Sequence, residues 1–505
     1  MSMPAEFLKP QITLADLLDG IVTAPGIPVT GITDDSRKLQ AGNVFLACQG
    51  DSSHGLDYID QAIAANVAAV VFDSATGNPV EVGVPMIAVD GLANRLGVIA
   101  NRWFDFPSQH VRVTGVTGTN GKTTVAYLIQ QCMEAVNNKC GYVGTLGTGL
   151  SGLIGDGSMT TPPCIELHEI LAGFRDQGAT HAAIEVSSHA LEQNRVDGVQ
   201  FDAAIFTNLS RDHIDYHGTM RAYFEAKSGL FLNRNVPIRI VSLDSEFGVE
   251  LADRCGADVV TVSTQFDRVA NGRPYVFVRA VVATPTGSNI SITSSWGSAD
   301  IPLPLPGDFN VANAAQVLAL MLCQEVPFDV ACDVLSKVSA PPGRMQPVQI
   351  SANSVLPSVY VDYSHTPASL EAALKALRGH CTGKLWCVFG CGGDRDRGKR
   401  PMMGKVANRL SDFHVVTSDN PRTEEPARII ADILEGMEES AVAIEDRSEA
   451  IAYAISSAAA CDVILIAGKG HEDYQVIGTA RLDFSDAEVA AKYLAERDNG
   501  GLDAK

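Results

Sequence analysis

The run Gly115-Val-Thr-Gly-Thr-Asn-Gly-Lys-Thr-Thr124 places a lysine and two threonines directly behind a glycine-rich turn. It follows the apolar, β-prone residues 111–113 and precedes a helix-like run over 125–135. Strand, turn and helix start together supply backbone N–H groups, the positive end of a helix dipole, a lysine for outer phosphates and a hydroxyl for Mg²⁺. Gly118, Thr119, Asn120 and Gly121 would form that cradle, with Lys122 and Thr123 in the last two roles and Thr124 beside them. The stricter pattern has glycine six positions before the lysine, where this chain has Val116, so the match is to a variant loop on Gly115, Gly118 and Gly121. Nucleoside triphosphate binding is the expectation.

Two polar segments belong with it. Glu185-Val-Ser-Ser-His189 and Thr207-Asn-Leu-Ser-Arg-Asp-His-Ile-Asp215 each follow an expected strand. An enzyme using a magnesium nucleotide needs oxygen or imidazole ligands at such strand ends, and Glu185 and His213 are candidates. Lys227, inside Tyr223-Phe-Glu-Ala-Lys-Ser-Gly-Leu-Phe231, reads by patterning as a solvated helix residue. Asn310 in Gly307-Asp-Phe-Asn and Arg344 in Pro342-Gly-Arg-Met take no role from patterning alone.

The elements that must position these groups alternate between strand and helix. Residues 44–47 and 68–72 are strands of a small α/β module in the first ~110 residues, a size in keeping with a compact domain. From 111 onward, strands at 140–143, 182–186, 203–207 and 238–243 alternate with helices, the pattern of a mostly parallel sheet covered on both faces. Residues 275–282 and 290–294 read as an appended antiparallel hairpin around a loop containing Thr-Pro-Thr-Gly. After Pro341-Pro342-Gly343, strands at 359–362, 385–389, 413–417 and 463–467 predict a second, Rossmann-like α/β domain with polar, glycine-rich loops at its strand ends. The expected fold is therefore α/β in three domains: a small N-terminal module (1–109), a central P-loop ATPase domain (110–344) and the C-terminal domain (345–505).

Bulk properties narrow the classes. The 505 residues carry a formal charge of −21, which argues against nucleic-acid binding driven by phosphate neutralisation. An anionic small substrate would need a local basic site, and Gly393-Asp-Arg-Asp-Arg-Gly-Lys-Arg400 is the densest. No apolar run approaches the ~20 residues of a membrane helix, and the start, Met-Ser-Met-Pro-Ala-Glu-Phe, lacks signal-peptide character, so a cytoplasmic location without membrane contact is expected. The 11 cysteines, Cys132, Cys323 and Cys387 among them, show no C-x-x-C pair and read as buried thiols; Cys387 and Cys391 near His380 fit no common zinc spacing.

Gly115 to Thr124, Glu185 to His189, Asp212-His-Ile-Asp215, Gly307-Asp-Phe-Asn310, Pro342-Gly-Arg344, Asp362-Tyr-Ser-His365, Gly392-Gly-Asp-Arg-Asp396, Asp419-Asn-Pro-Arg422 and Gly468-Lys-Gly-His-Glu472 occur in the order seen in Mur ligases. The chain resembles that family from Thr33 to Asp486. The resemblance implies an ATP-dependent, amide-forming ligase of peptidoglycan precursor synthesis, and so of cell-wall biogenesis, cell shape and division. It would add meso-diaminopimelate to UDP-N-acetylmuramoyl-L-alanyl-D-glutamate through an acyl phosphate, as a monomer. By resemblance, Lys122 meets the outer phosphates, Thr123 and Glu185 hold one Mg²⁺, and Lys227, carbamylated by CO₂, holds a second beside His213. Asn310, Arg344 and Asp362 match positions around adenine, phosphates and ribose. Asp34 and Ser36 match uridine positions, and Thr160, Thr161, Ser187, Gln193 and Arg195 match peptidyl and diphosphate positions. The loop Gly50-Asp-Ser-Ser-His54 stands where the family has a uridine loop, with residues that differ from the commoner pattern.

Arg395, Asp419, Asn420, Pro421, Arg422, Gly468 and Glu472 match the amino-acid site. Diaminopimelate differs from lysine by a distal carboxylate, and a guanidinium pairs with such a group bidentately. Arg422 supplies that fork and argues against lysine as the added amino acid. Other readings are a D-alanyl-D-alanine-adding ligase, which should lack Asp-Asn-Pro-Arg, a folylpolyglutamate synthetase sharing the ATP loop, and a nucleotide-switched P-loop binding protein, which has no need of a third-domain carboxylate site.

Overall fold

The computed structural model describes residues 12–50, 53–77, 82–150, 152–153, 159–265, 272–348, 356–437 and 441–500. The chain divides into two compact units, one comprising Met1–Lys122, Met133–Val241 and Ser245–Val259, the other Thr123–Cys132, Ser242–Asp244 and Val260–Lys505.

The first unit begins with four parallel strands in sequential order, Gly31–Thr33, Asn43–Ala47, Ala69–Asp73 and Met86–Val89. Their side chains alternate between two covered faces, as the two-residue period of a strand demands. Val44, Leu46 and Val71 pack with Leu14, Leu17 and Ile99 on one side. Phe45, Val70 and Phe72 pack with Ala62 on the other. Of a second, ten-stranded sheet, six neighbouring strands run in the order Ile238–Ser242, Ala203–Phe206, Arg112–Thr117, His181–Glu185, Cys140–Gly144, Gly147–Gly149, these six parallel except for the last. The chain leaves Arg112–Thr117 toward one side of this sheet and later returns on the other, which makes its carboxyl end a topological switch point.

That strand corrects the variant-loop reading. Arg112–Thr117 continues through Gly115 to Thr117, and the following helix begins at Lys122 rather than at 125. A Cβ on Gly115 would lie 2.8 Å from the Phe201 ring, so this glycine serves packing inside the sheet, and the loop proper is Gly118 to Gly121.

In the second unit the expected hairpin is tighter and larger than its sequence suggested. Tyr275–Thr284 and Gly287–Ser294 extend to a turn of Pro285 and Thr286, and a third strand, Gly297–Leu303, completes an antiparallel meander. The C-terminal sheet has the order Gln346–Val348, Ser358–Asp362, Val463–Ala467, Leu385–Phe389, Phe413–Val416, Val442–Ala443, with only the first strand antiparallel. Insertion of the sheet's last strand in sequence, Val463–Ala467, between two earlier ones creates another switch point. Leu385, Cys387 and Phe389 face Leu374, Met403 and Ile433, while Trp386 and Val388 face Ile451 and Ala454. Cys132 and Cys387 are buried free thiols as expected, whereas Cys323 is half-buried. No helix among the described residues is long and apolar enough to cross a membrane.

The two halves of the first unit approach closely at Gly97, in the helix Leu96–Trp103, where a Cβ would lie 2.3 Å from the Asp197 carbonyl carbon. Alanine in a helix interior normally stabilises by ~1 kcal/mol over glycine. Overpacking against backbone costs about 1–3 kcal/mol and reverses that sign. Gly97→Ala should therefore lower the midpoint of thermal unfolding; a raised midpoint would contradict this packing.

Candidate active site

The phosphate loop is stitched to the segment after Ala203–Phe206. Thr119 N–H donates to Asn208 O at 2.9 Å, Asn120 N–H to Asn208 Oδ1 at 3.0 Å, and Thr207 Oγ1 to Asn120 O at 2.6 Å. Gly118 adopts φ +144°, and a Cβ there would meet Thr207 Oγ1 at 2.0 Å, so only glycine fits. The helix Lys122–Ala135 starts at Gly121 with no side-chain cap, the arrangement suited to an anion at a helix N-terminus. Thr123 and Thr124, in its first turn, are buried.

Two lysines converge on this loop. Lys122 Nζ donates to Gly118 O at 3.0 Å and Thr119 O at 2.9 Å, and Lys227 Nζ donates to the same Gly118 O at 2.9 Å. Sharing one acceptor holds the two amines at most about 6 Å apart, a repulsion of about 3 kcal/mol if both are charged at an effective dielectric of ~20. Lys227 is 1% exposed and lies over the Tyr223 ring. Burial, with Lys122 nearby and only partly opposed by Asp212, pushes its pKa well below the usual lysine value. The solvated-face reading of Lys227 is thus overturned. Its neighbours three and four residues away, Tyr223, Phe224, Leu230 and Phe231, are all buried on the same helix face, and that spacing was the available signal.

Glu185 is fully buried at the end of His181–Glu185. Its Oε1 accepts from Tyr142 Oη at 2.5 Å and Thr145 N at 2.9 Å, and Oε2 accepts from Thr145 Oγ1 at 3.2 Å. Gly144 makes room for it, since a Cβ there would meet Oε1 at 2.2 Å. Sequence reasoning gave no role to Tyr142, Thr145 or Tyr223, which act through hydrogen bonds to residues distant in sequence rather than through a motif. His213 sits at φ +52° with Nε2 3.5 Å from Asp212, edge-on to His189. Partial burial lowers its pKa, Asp212 opposing and Lys122 and Lys227 adding to the effect. The imidazole is thereby kept in the neutral form that ligates a divalent cation.

Around Glu185 gather the residues expected near a peptide or diphosphate. Thr161 Oγ1 donates to Glu185 O at 2.7 Å and accepts from Ser187 N at 3.1 Å, and Thr160 Oγ1 is 3.3 Å from Thr145 Oγ1. Arg195 donates to Thr161 O at 3.0 Å and through Nε to Gln193 Oε1 at 2.9 Å. Asp34 and Ser36 belong elsewhere, to the turn after Gly31–Thr33, where Asp35 caps the short helix Ser36–Lys38. Of the loop from Gly50 to His54, Asp51 and Ser52 lie outside the described residues.

In the second unit, Asn310 is buried in the first turn of Asp308–Cys323 and donates to Pro306 O at 2.9 Å. Asp362 is buried, accepting from Met345 N at 2.8 Å and from Ser364 Oγ. Burial raises its pKa against the pull of Ser364 and Arg344, and the Arg344 guanidinium stacks 4.8 Å from the Tyr363 ring centre.

The remaining candidates meet at three adjacent strand ends. Asn420 is the hub: its Nδ2 donates to Glu472 Oε2 at 2.8 Å, its Oδ1 accepts from Lys469 Nζ at 3.2 Å and Val476 N at 2.9 Å, and its carbonyl faces Arg422 Nη1 at 3.4 Å. Arg422 adopts φ +52° and is held by backbone bonds to the hairpin Tyr474–Ile477 and Ala480–Asp483, Arg422 N to Val476 O at 3.0 Å and Gly478 N to Arg422 O at 2.7 Å. Its Nη1 also donates to Gly393 O at 2.9 Å. Buried Asp419 lies against Gly468, where a Cβ would meet its Oδ2 at 2.5 Å, and Pro421 O faces Gly393, where a Cβ would lie 1.9 Å away. Lys469, missed by sequence reasoning, is fully buried and pairs with Glu472 at 3.1 Å. The basic run around Arg400 is largely neutralised within the protein: Arg400 pairs with Glu424 and Asp432, each at 2.8 Å, and Arg397 with Glu424 at 3.1 Å. Arg400 first of all holds the Glu424 carboxyl at about 2. Arg395 is exposed.

Comparison with known proteins matches three segments to family models: Mur ligase family, catalytic domain, over 28–104; Mur ligase middle domain over 116–321; and Mur ligase, glutamate ligase domain, over 343–470. The chain is similar to a protein of Coxiella burnetii named UDP-N-acetylmuramoyl-L-alanyl-D-glutamate--2,6-diaminopimelate ligase, 43% identical over 488 residues that cover 95% of this chain and 99% of the relative. A same-named protein of Alkalilimnicola ehrlichii is 42% identical over 503 residues, covering 97% and 98%. A solved structure of a ligase of that name superposes with a TM-score of 0.73 at 32% identity, covering 97% of this chain and 99% of that one. With a phosphate loop, a buried acid beside it and matches of this length and identity, the chain belongs to the Mur ligase family.

Proposed function

We propose that this chain is an ATP-dependent ligase that joins meso-diaminopimelate to UDP-N-acetylmuramoyl-L-alanyl-D-glutamate in peptidoglycan precursor synthesis, working in the cytoplasm. The observation that carries this reading is that Asn420 lies between two opposite charges, the Arg422 guanidinium facing its carbonyl and the Glu472 carboxylate accepting from its side-chain amide. A zwitterionic end of an amino acid carries the complementary pair. In this reading Arg422 receives the distal carboxylate and Glu472 the ammonium, while Asp419, Pro421, Arg395 and Gly468 shape the walls. Lysine offers the ammonium alone and leaves Arg422 unpaired.

The family segments at 28–104, 116–321 and 343–470 support a division of labour among residues 1–109, 110–344 and 345–505, holding uridine, ATP and the incoming amino acid respectively. Asp34 and Ser36 are assigned to the uridine, and Thr160, Thr161, Ser187, Gln193 and Arg195 to the diphosphate and peptide. Gly118 to Thr124 cradle the ATP phosphates, with Asn310, Arg344 and Asp362 toward the nucleoside. The side-chain carboxylate of the D-glutamyl residue attacks the γ-phosphorus, ADP leaves, and the resulting acyl phosphate is opened by the amine with loss of phosphate. Lys122 draws charge from the transferred group, and the loop's backbone fixes its orientation. Thr123, Glu185, His213 and Lys227 supply oxygen and nitrogen ligands suited to Mg²⁺, which would screen the phosphates from the attacking carboxylate.

A buried amine with a depressed pKa is a nucleophile toward CO₂. Addition converts Lys227 from R–NH₂ to R–NH–COO⁻ with release of one proton, replacing a neutral amine with an anion attracted to Lys122. With ¹³C-bicarbonate, the enzyme should show a carbamate carbon resonance that is missing in Lys227→Met. The same resonance in both proteins, or in neither, would discard the carbamate.

Phosphate release with ATP, Mg²⁺ and the UDP-dipeptide should depend on meso-diaminopimelate and be weak with L-lysine. Arg422→Ala should cost diaminopimelate activity about 10²-fold, the scale of truncating one partner of a desolvated charge pair, and leave the lysine background nearly unchanged. An unchanged ratio between the two amino acids would refute the assignment.

A further inference from the structure

Arg447 opens the helix Arg447–Ser457, a position where the helix dipole disfavours a cation. It is nonetheless 1% exposed, and the pairing explains why it is there. Nε and Nη2 donate to the two oxygens of fully buried Asp486, both at 2.7 Å, in a bidentate fork. The remaining donors do something an ion pair does not require. Nη1 donates to Ser418 O at 3.1 Å and Nη2 to Ala467 O at 3.0 Å.

Those carbonyls lie at the carboxyl ends of Phe413–Val416 and Val463–Ala467, two strands that do not pair with each other. Leu385–Phe389 runs between them, its Phe389 in register with Val416 on one side and Ala467 on the other. One guanidinium therefore spans the end of the central strand and ties the last residue before Asp419-Asn420-Pro421-Arg422 to the last residue before Gly468-Lys469-Gly470-His471-Glu472. Burial opposes its charge, while Asp486 and, further off, Asp419 and Glu472 keep the guanidinium protonated.

We propose that Arg447, held by Asp486, is a positioning residue that sets the spacing between the Arg422 and Glu472 loops and so determines selection of the amino-acid substrate. It acts through those loops and touches no substrate. This inference rests on the proposed diaminopimelate site, and the two fail separately: the wild-type enzyme alone judges the substrate, and variant-to-wild-type ratios judge the clamp.

Removing one partner of a buried pair leaves an uncompensated charge, whereas replacing both by apolar residues of similar volume is often neutral for stability. The deciding variant is therefore Arg447→Met combined with Asp486→Leu, which removes the strand-end hydrogen bonds without stranding a charge. It should unfold within a few degrees of wild type, yet raise KM for diaminopimelate at least tenfold while KM for ATP and for the UDP-dipeptide stays within about twofold, and its preference over lysine should fall. A stable double variant with wild-type KM for diaminopimelate, or equal loss toward all three substrates, would overturn the proposal. Should the double variant not fold, Arg447→Lys decides: a single ammonium beside Asp486 cannot span both carbonyls, so the same selective KM rise is expected, and an unchanged KM overturns the clamp.

Discussion

A lysine almost without contact with water, its amine resting on a carbonyl of the phosphate loop, is the constraint around which the first unit is built. Lys227 and Lys122 share Gly118 O as an acceptor, and that arrangement is unfavourable for two cations unless negative charge arrives or one lysine gives up its proton. The surroundings fit such an arrival. Buried Glu185 is fixed by Tyr142 and Thr145, His213 stands within reach of Asp212, and the helix behind the loop begins without a cap of its own. A site that joined a carboxylate to a phosphate would have to overcome repulsion between anions, and Lys122, held on the loop by Gly118 O and Thr119 O, is placed to offset it.

The C-terminal sheet solves the opposite problem. Its buried cations are already paired, Arg447 with Asp486, Lys469 with Glu472 and Arg400 with Glu424 and Asp432. These pairs hold polar loops in fixed geometry where open α/β sheets place ligands. Arg422 adopts a left-handed conformation held by two backbone hydrogen bonds to a small hairpin, which fixes the point from which its guanidinium extends.

Much of this was legible in the sequence because it depends on local patterns. Apolar runs such as 385–389 and 463–467 became strands with those bounds, since both faces are covered and every position is buried. The phosphate loop was legible from glycine spacing, although Gly115 was misassigned, because packing against Phe201 and binding a phosphate both call for glycine. What escaped depends on contacts distant in sequence. The strand Gly297–Leu303 pairs along its length with Gly287–Ser294, and its sparse apolar content hid it. Lys469 sits between two glycines with no periodicity to show that it is fully buried. Arg447 finds its partner 39 residues away, so only the misfit of a cation at a helix start marked it.

If the loop and its lysines activate a carboxylate by phosphoryl transfer, one carboxylate oxygen must pass to the released phosphate. The most direct test uses UDP-N-acetylmuramoyl-L-alanyl-D-glutamate carrying ¹⁸O in the D-glutamyl side-chain carboxylate, followed through one round of ligation. One ¹⁸O atom should appear in the released phosphate for each amide formed. Phosphate without label, at full yield of amide, would contradict it.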